Sequence, residues 1–196
     1  MIKIPEREYR AFGNFKLDEK EDDKKIFIRG IPIVYDTPTC LFEMDGVKYF
    51  EVIERGALDG ADTSDFIFNK NHELSPYARN KNGTLKWRDN ATEVEMEAIL
   101  NAEDQRHREL AYDIKTGLID KMSFSFSIRE ASYDRETRTR HIRKIKKLYD
   151  FSAVTFPAYE QTSISARGFF EEEHRKEFQL LEQKRARDIL ILRTYI

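Results

Sequence analysis

Cysteine is almost absent from this chain, with Cys40 the single example among 196 residues. One thiol excludes an intramolecular disulfide and any multi-cysteine metal site, and it fits a reducing compartment. Long apolar runs are missing too. The first residues, Met1-Ile2-Lys3-Ile4-Pro5-Glu6, hold no hydrophobic stretch, so no signal peptide is expected. The patch Ile189-Leu190-Ile191-Leu192 is far too short to span a membrane. Nor is there an excess of charge of one sign: the net charge is −2 although 36% of residues are charged, which gives no global signal for a polyanionic partner. A soluble intracellular protein without a membrane or nucleic-acid partner is the expectation. What is present is an apolar share of 40%, with fourteen Phe and nine Tyr, enough for one good-sized core.

Most of the chain reads as antiparallel β. Thr92, Val94, Met96, Ala98 and Leu100 alternate with Glu93, Glu95 and Glu97, so one face is buried and the other wet. Thr84 to Arg88 is its hairpin partner across Asp89-Asn90. Further strands are expected at Lys25 to Tyr35, Tyr49 to Ile53 and Asp65 to Asn69. Two more follow, a basic one at Arg140 to Leu148 and a last one at Tyr149 to Phe156, stopped by Pro157. A helix is expected between Asn101 as its cap and Gly117, with Leu110 and Ile114 facing the core. After Arg167-Gly168 the mixture of Glu, Lys, Arg, Gln and Leu favours helix. The chain therefore divides into a domain over 1–167 and a C-terminal helical arm over 168–196, a docking or self-cleaved segment.

The run Lys121-Met122-Ser123-Phe124-Ser125-Phe126-Ser127-Ile128 is the most informative stretch. Its period of two turns Met122, Phe124, Phe126 and Ile128 to the core and leaves Ser123, Ser125 and Ser127 as a row of hydroxyls on the outside of a rigid strand. A nucleophilic serine needs a fixed backbone and a neighbouring base. His72 is the candidate base, and Asp150 an acid that would fix its tautomer. Ser125 shares Ser123's face and competes with it; Glu73 is the alternative acid, and Asp150 could pair instead with Lys146 or Lys147. His107, His141 and His174 read as exposed. His72-Glu73 does not open a zinc-protease motif, because Pro76 stands at the position of the second histidine. The basic set Arg138, Arg140, Arg143, Lys144, Lys146 and Lys147 lacks the interleaved aromatics of a base-stacking surface.

The segments Val52 to Leu58, Phe68-Asn69-Lys70-Asn71-His72-Glu73, Ile119 to Phe126 and Asp150 to Tyr159 resemble, in order, those of the prohead (procapsid maturation) proteases of tailed bacteriophages. The resemblance covers roughly Glu6 to Arg167. That family is itself related in fold to herpesvirus assemblin. The family's histidine falls on His72, its serine on Ser123 and its third, acidic residue on Asp150. Lys121 and Ser125 stand where the family often has glycine, and Asp150 is one methylene shorter than the usual Glu. The resemblance implies a mainly β (α+β) fold, a closed antiparallel barrel with flanking helices. It implies a serine endopeptidase, needing no cofactor, that acts in the host cytoplasm inside the assembling procapsid. Scaffold, the scaffold domain of the major capsid protein, portal and the protease itself are the implied substrates and partners, with a homo-oligomer as a further partner. Oxyanion-hole donors are expected near the serine or in the loop from Phe156 to Arg167. A catalytically silent barrel that binds scaffold or capsid is the alternative.

Overall fold

The computed structural model describes residues 7–18, 24–155 and 164–194. In chain order the strands are β1 (Glu8–Asp18), β2 (Lys25–Val34), β3 (Thr39–Met44), β4 (Val47–Ile53), β5 (Ile67–Lys70), β6 (Ala78–Arg79), β7 (Leu85–Asp89) and β8 (Glu93–Asn101). Helix α1 (Gln105–Lys115) precedes the two longest strands, β9 (Lys121–Asp134) and β10 (Thr139–Val154), and helix α2 (Ile164–Thr194) follows them. The basic strand and the last strand expected from the sequence are one continuous element, β10. The stop expected at Phe156-Pro157 lies outside the described residues.

The strands hydrogen-bond in the order β3-β4-β10-β9-β1-β2-β8-β7, with β5 on β10 and β6 on β5. The mainly β expectation agrees with this; the closed antiparallel barrel does not. The strand path stops at β3 and β7, and among the described residues no ladder joins its ends. Closure through β6 fails because Ala78–Arg79 is only two residues long and turns at once into a short 3-10 turn at Asn80–Asn82. The sheet is also mixed. One edge of β10 pairs with β9, while its other edge runs parallel to β4 at Thr139 to Ile142 and then to β5 at Asp150 to Ala153. Hydrophobic alternation specifies which face is wet, not the direction of the neighbouring strand, so these parallel pairings carry no periodic signal.

The core forms on the faces that alternation marks. Val94, Met96, Ala98 and Leu100 of β8 are buried, and Met122, Phe124 and Phe126 of β9 are wholly inaccessible. Phe66, Phe68 and Phe151 join them, and Leu110 and Ile114 of α1 close one side. Each such side chain removed from water contributes about 1.5–3 kcal/mol. Asp104, not Asn101, caps α1: its carboxylate accepts from the Arg106 amide at 2.8 Å. Asn101 instead ends β8 and its side chain accepts from the Glu103 amide. Helix α2 begins ahead of residue 168. Its first turns dock Ala166 and Phe170 against Leu41 and Tyr49, whereas Phe178, Leu181, Ile189 and Leu190 farther along are exposed.

Candidate active site

Strand register builds the site. Across the antiparallel β9–β10 ladder Ser123 lies opposite Ser152, and Ser125 lies opposite Asp150. Directly opposed residues share a face, so these hydroxyls and the carboxylate line one surface. His72 arrives from β5, whose parallel ladder with β10 runs to Lys70 and Ala153. The chain then turns sharply through Asn71 (φ 50°) and His72 (φ 59°), both left-handed. Such a conformation costs an L-residue roughly 1–2 kcal/mol. Hydrogen bonds from the turn to β10 offset that cost. The Asn71 amide donates to the Ala153 carbonyl at 2.9 Å, and the His72 amide donates to Ser152 Oγ at 2.9 Å.

That turn aims the imidazole along the serine face. His72 Nδ1 is 2.8 Å from Asp150 Oδ1, and its Nε2 is 2.8 Å from Ser123 Oγ. A carboxylate can only accept, so Nδ1 carries the proton and the Nε2 lone pair faces the hydroxyl. The Ser123 hydroxyl has a second acceptor, the Arg10 carbonyl, at 2.8 Å. Ser125 Oγ donates to Asp150 Oδ2 at 2.6 Å and has no bond to the imidazole. The Tyr9 ring packs edge-on against His72 with centroids 4.6 Å apart. Glu73 is exposed. Lys147, weighed as a partner of Asp150, pairs with Asp62 at 2.8 Å instead.

The row of hydroxyls expected on the outside is covered. Ser123, Ser125, Asp150 and Ser152 are inaccessible, and only the His72 side chain, at 16%, opens to solvent. Even Ser127, read as solvated, is buried. Alternation separates two faces but does not reveal that the side chains of Arg7 and Tyr9, beside the row at the start of β1, and the 71–72 turn cover the polar one. The other histidines differ from the reading as exposed residues. His174 is buried, with Nδ1 2.7 Å from the Tyr49 hydroxyl. His107 is half-buried and accepts from the Asn101 amide at 2.9 Å. His141 is half-buried beside Glu54.

Beside the row lies a residue that the sequence reading missed. The Arg7 guanidinium pairs with Asp150 Oδ2 and donates to Ser125 Oγ through Nε at 3.0 Å and Nη2 at 2.8 Å. No motif spacing points to it, because it precedes the first recognisable strand. A buried quartet was missed likewise. Arg10 pairs with Glu8 and Glu51, and Arg140 reaches the same two carboxylates at 3.1 and 3.4 Å. Burial acts to raise Glu8, but the charges of Arg10 and Arg140 outweigh it and hold the carboxyl below its ordinary range. Others of the basic run form more exposed pairs: Arg138 with Glu177, Lys144 with Asp59 and Arg143 near Glu54 and Glu130. Among the described residues no cluster of His, Cys, Asp and Glu is arranged to hold a metal. Residues 156–163 of the loop expected to supply oxyanion donors lie outside the described residues.

A hydroxyl, an imidazole and a carboxylate stand in one hydrogen-bonded row, held by β9, β10 and the turn after β5, an arrangement chemically able to pass a proton from serine to histidine. A family model described as caudovirus prohead serine protease matches residues 14–177, and the chain belongs to that family. It is thereby a member of a serine peptidase family whose setting is the viral procapsid. Searches of curated proteins and of solved structures return no match.

Proposed function

We propose that this protein is a serine endopeptidase that cleaves scaffold and capsid proteins, itself included, during procapsid maturation, with Ser123, His72 and Asp150 as its catalytic groups. Ser123 Oγ attacks the peptide carbonyl while His72 Nε2 takes its proton. The imidazolium so formed is stabilised by Asp150 and then protonates the leaving amine, and water releases the acyl-enzyme by the same route in reverse. The observation that carries the reading is the unbroken 2.8 Å path from Ser123 through His72 to Asp150 in a chain of this family. Ser125 is the weaker nucleophile because its hydroxyl donates to Asp150 and no base stands ready to take its proton. Substrate reaches Ser123 from the side on which His72 is open, past Tyr9.

The test is co-expression with the capsid and scaffold proteins of the same virus, comparing the wild type with Ser123→Ala. Loss of a triad serine costs about a million-fold in turnover, so processed fragments should vanish while the variant stays folded. Cleavage that persists in Ser123→Ala rejects Ser123, and an unprocessed wild-type reaction rejects the protease reading in favour of a silent binding module.

A further inference from the structure

Asp150 is inaccessible and has two oxygens to satisfy, of which the imidazole uses only Oδ1. A neutral imidazole supplies a hydrogen bond but no balancing charge. Buried carboxylates are otherwise found paired with a cation and fully hydrogen-bonded. Arg7 meets both needs, because one guanidinium nitrogen reaches Asp150 Oδ2 and the same fork reaches Ser125 Oγ, which itself donates to Oδ2. The fork is held in turn. Its carbon lies 4.9 Å from the centroid of the Tyr149 ring and 5.4 Å from that of Tyr9, the ring that packs on His72. Arg7 therefore touches the acid and the Tyr9 ring that borders the imidazole, yet it does not touch the nucleophile.

We propose that Arg7 is a positioning residue for the reaction: it pins Asp150 so that Oδ1 alone faces His72, and it ties up Ser125 so that Ser123 is the only hydroxyl free to lose its proton to the base. This rests on the serine-peptidase reading above and extends it to a residue ahead of all the recognisable motifs. The planar fork is essential, since a point charge such as Lys can neutralise Asp150 but cannot also hold Ser125 and lie against two rings. A displacement of the acid by about 1 Å is the scale of error that costs roughly a hundred-fold in rate.

A fluorophosphonate probe tests this without a known cleavage sequence, because it reports the nucleophilicity of the serine directly. Full-length wild type, Ser123→Ala, Arg7→Ala and Arg7→Lys are labelled, and the modified residue is located by mass spectrometry. The expected result is labelling of wild type at Ser123, about a hundred-fold slower labelling of the folded fraction of Arg7→Ala, with a lowered thermal midpoint because buried Asp150 loses its cation, and only partial recovery in Arg7→Lys. Added guanidinium should restore labelling of Arg7→Ala but not of Ser123→Ala, a rescue that a purely structural role would not produce. The proton NMR signal of the His72 Nδ1–H, far downfield in wild type, should be lost in Arg7→Ala. Wild type labelled at Ser123 with Arg7→Ala labelled equally fast overturns the role of Arg7 alone. Wild type without label overturns the serine-peptidase reading itself. If Arg7→Ala does not fold, Arg7→Lys decides: labelling at the wild-type rate rejects the need for a fork, and slow labelling of a folded protein supports it.

Discussion

The start of the chain contributes to two buried polar clusters, and they behave differently. Glu8 and Arg10 alternate with Arg7 and Tyr9, so a period of two sends the first pair to the Glu51–Arg140 quartet and the second pair to His72 and Asp150. Both clusters balance their charges, one against one at Arg7–Asp150 and two against two in the quartet. The quartet, however, consists only of guanidinium and carboxylate groups bonded to one another, and all four are buried. The His72 cluster contains an imidazole and hydroxyls that can pass a proton along, and His72 opens to solvent. Charge neutrality makes a cluster tolerable in the interior; a mobile proton and an entrance are what permit chemistry.

The comparison can be broken from either side. The largest effect is expected from Asp150→Asn, which leaves the shape but removes the acceptor that fixes the His72 tautomer. Turnover should fall about ten-thousand-fold, with the unfolding midpoint nearly unchanged; an unaltered rate in a cleavage assay removes Asp150 from the mechanism. In the quartet the outcome inverts. Arg10→Met leaves two buried carboxylates to share Arg140 alone and should cost about 3–5 kcal/mol in denaturant unfolding, while the folded fraction keeps its labelling rate. Loss of labelling without loss of stability would mean that the two clusters had been assigned the wrong way round.

The smallest effect sharpens the contrast through pH. Glu8 is held below its ordinary value of 4.5 in the folded state. The unfolded chain therefore binds the proton first on acidification, and stability present above pH 4.5 is lost as pH falls through the folded value. Glu8→Gln should flatten that decline by at most one proton, a slope of about 1.36 kcal/mol per pH unit. Unfolding free energies measured at successive pH values give the slope directly. Equal slopes in both proteins would show that other carboxylates govern acid unfolding.

Some of this was legible in the residues and some was not, for definable reasons. The alternation of Val94, Met96, Ala98 and Leu100 against glutamates announced β8, and the layer of Met122, Phe124 and Phe126 is where period two puts it. Motif resemblance, rather than spacing, singled out His72, Ser123 and Asp150, whose side chains lie in one hydrogen-bonded row. The barrel expectation fails because the strand path ends at β3 and β7, and its antiparallel part fails at β10, a single strand with parallel partners on one edge. Partner direction is a long-range property and leaves no local pattern. The cover over the serines failed to register for the same reason, since it comes from β1 and from a turn after β5 that are distant in sequence. Arg7 and the quartet were invisible because a buried ion pair and a solvated one look alike in a list of residues.

Strand β10 carries Arg140 near one end and Asp150 near the other, and irregularities in its pairing with β9 fall between Leu148 and Asp150 among other places. A one-residue stagger along that seam would roll Asp150 into the phenylalanine layer and bring Phe151 up beneath the imidazole. That one-residue slip would withdraw Asp150 from both His72 and Arg7. The register that packs Phe151 into the core is thus the same one that sets Asp150 beside His72 and Arg7.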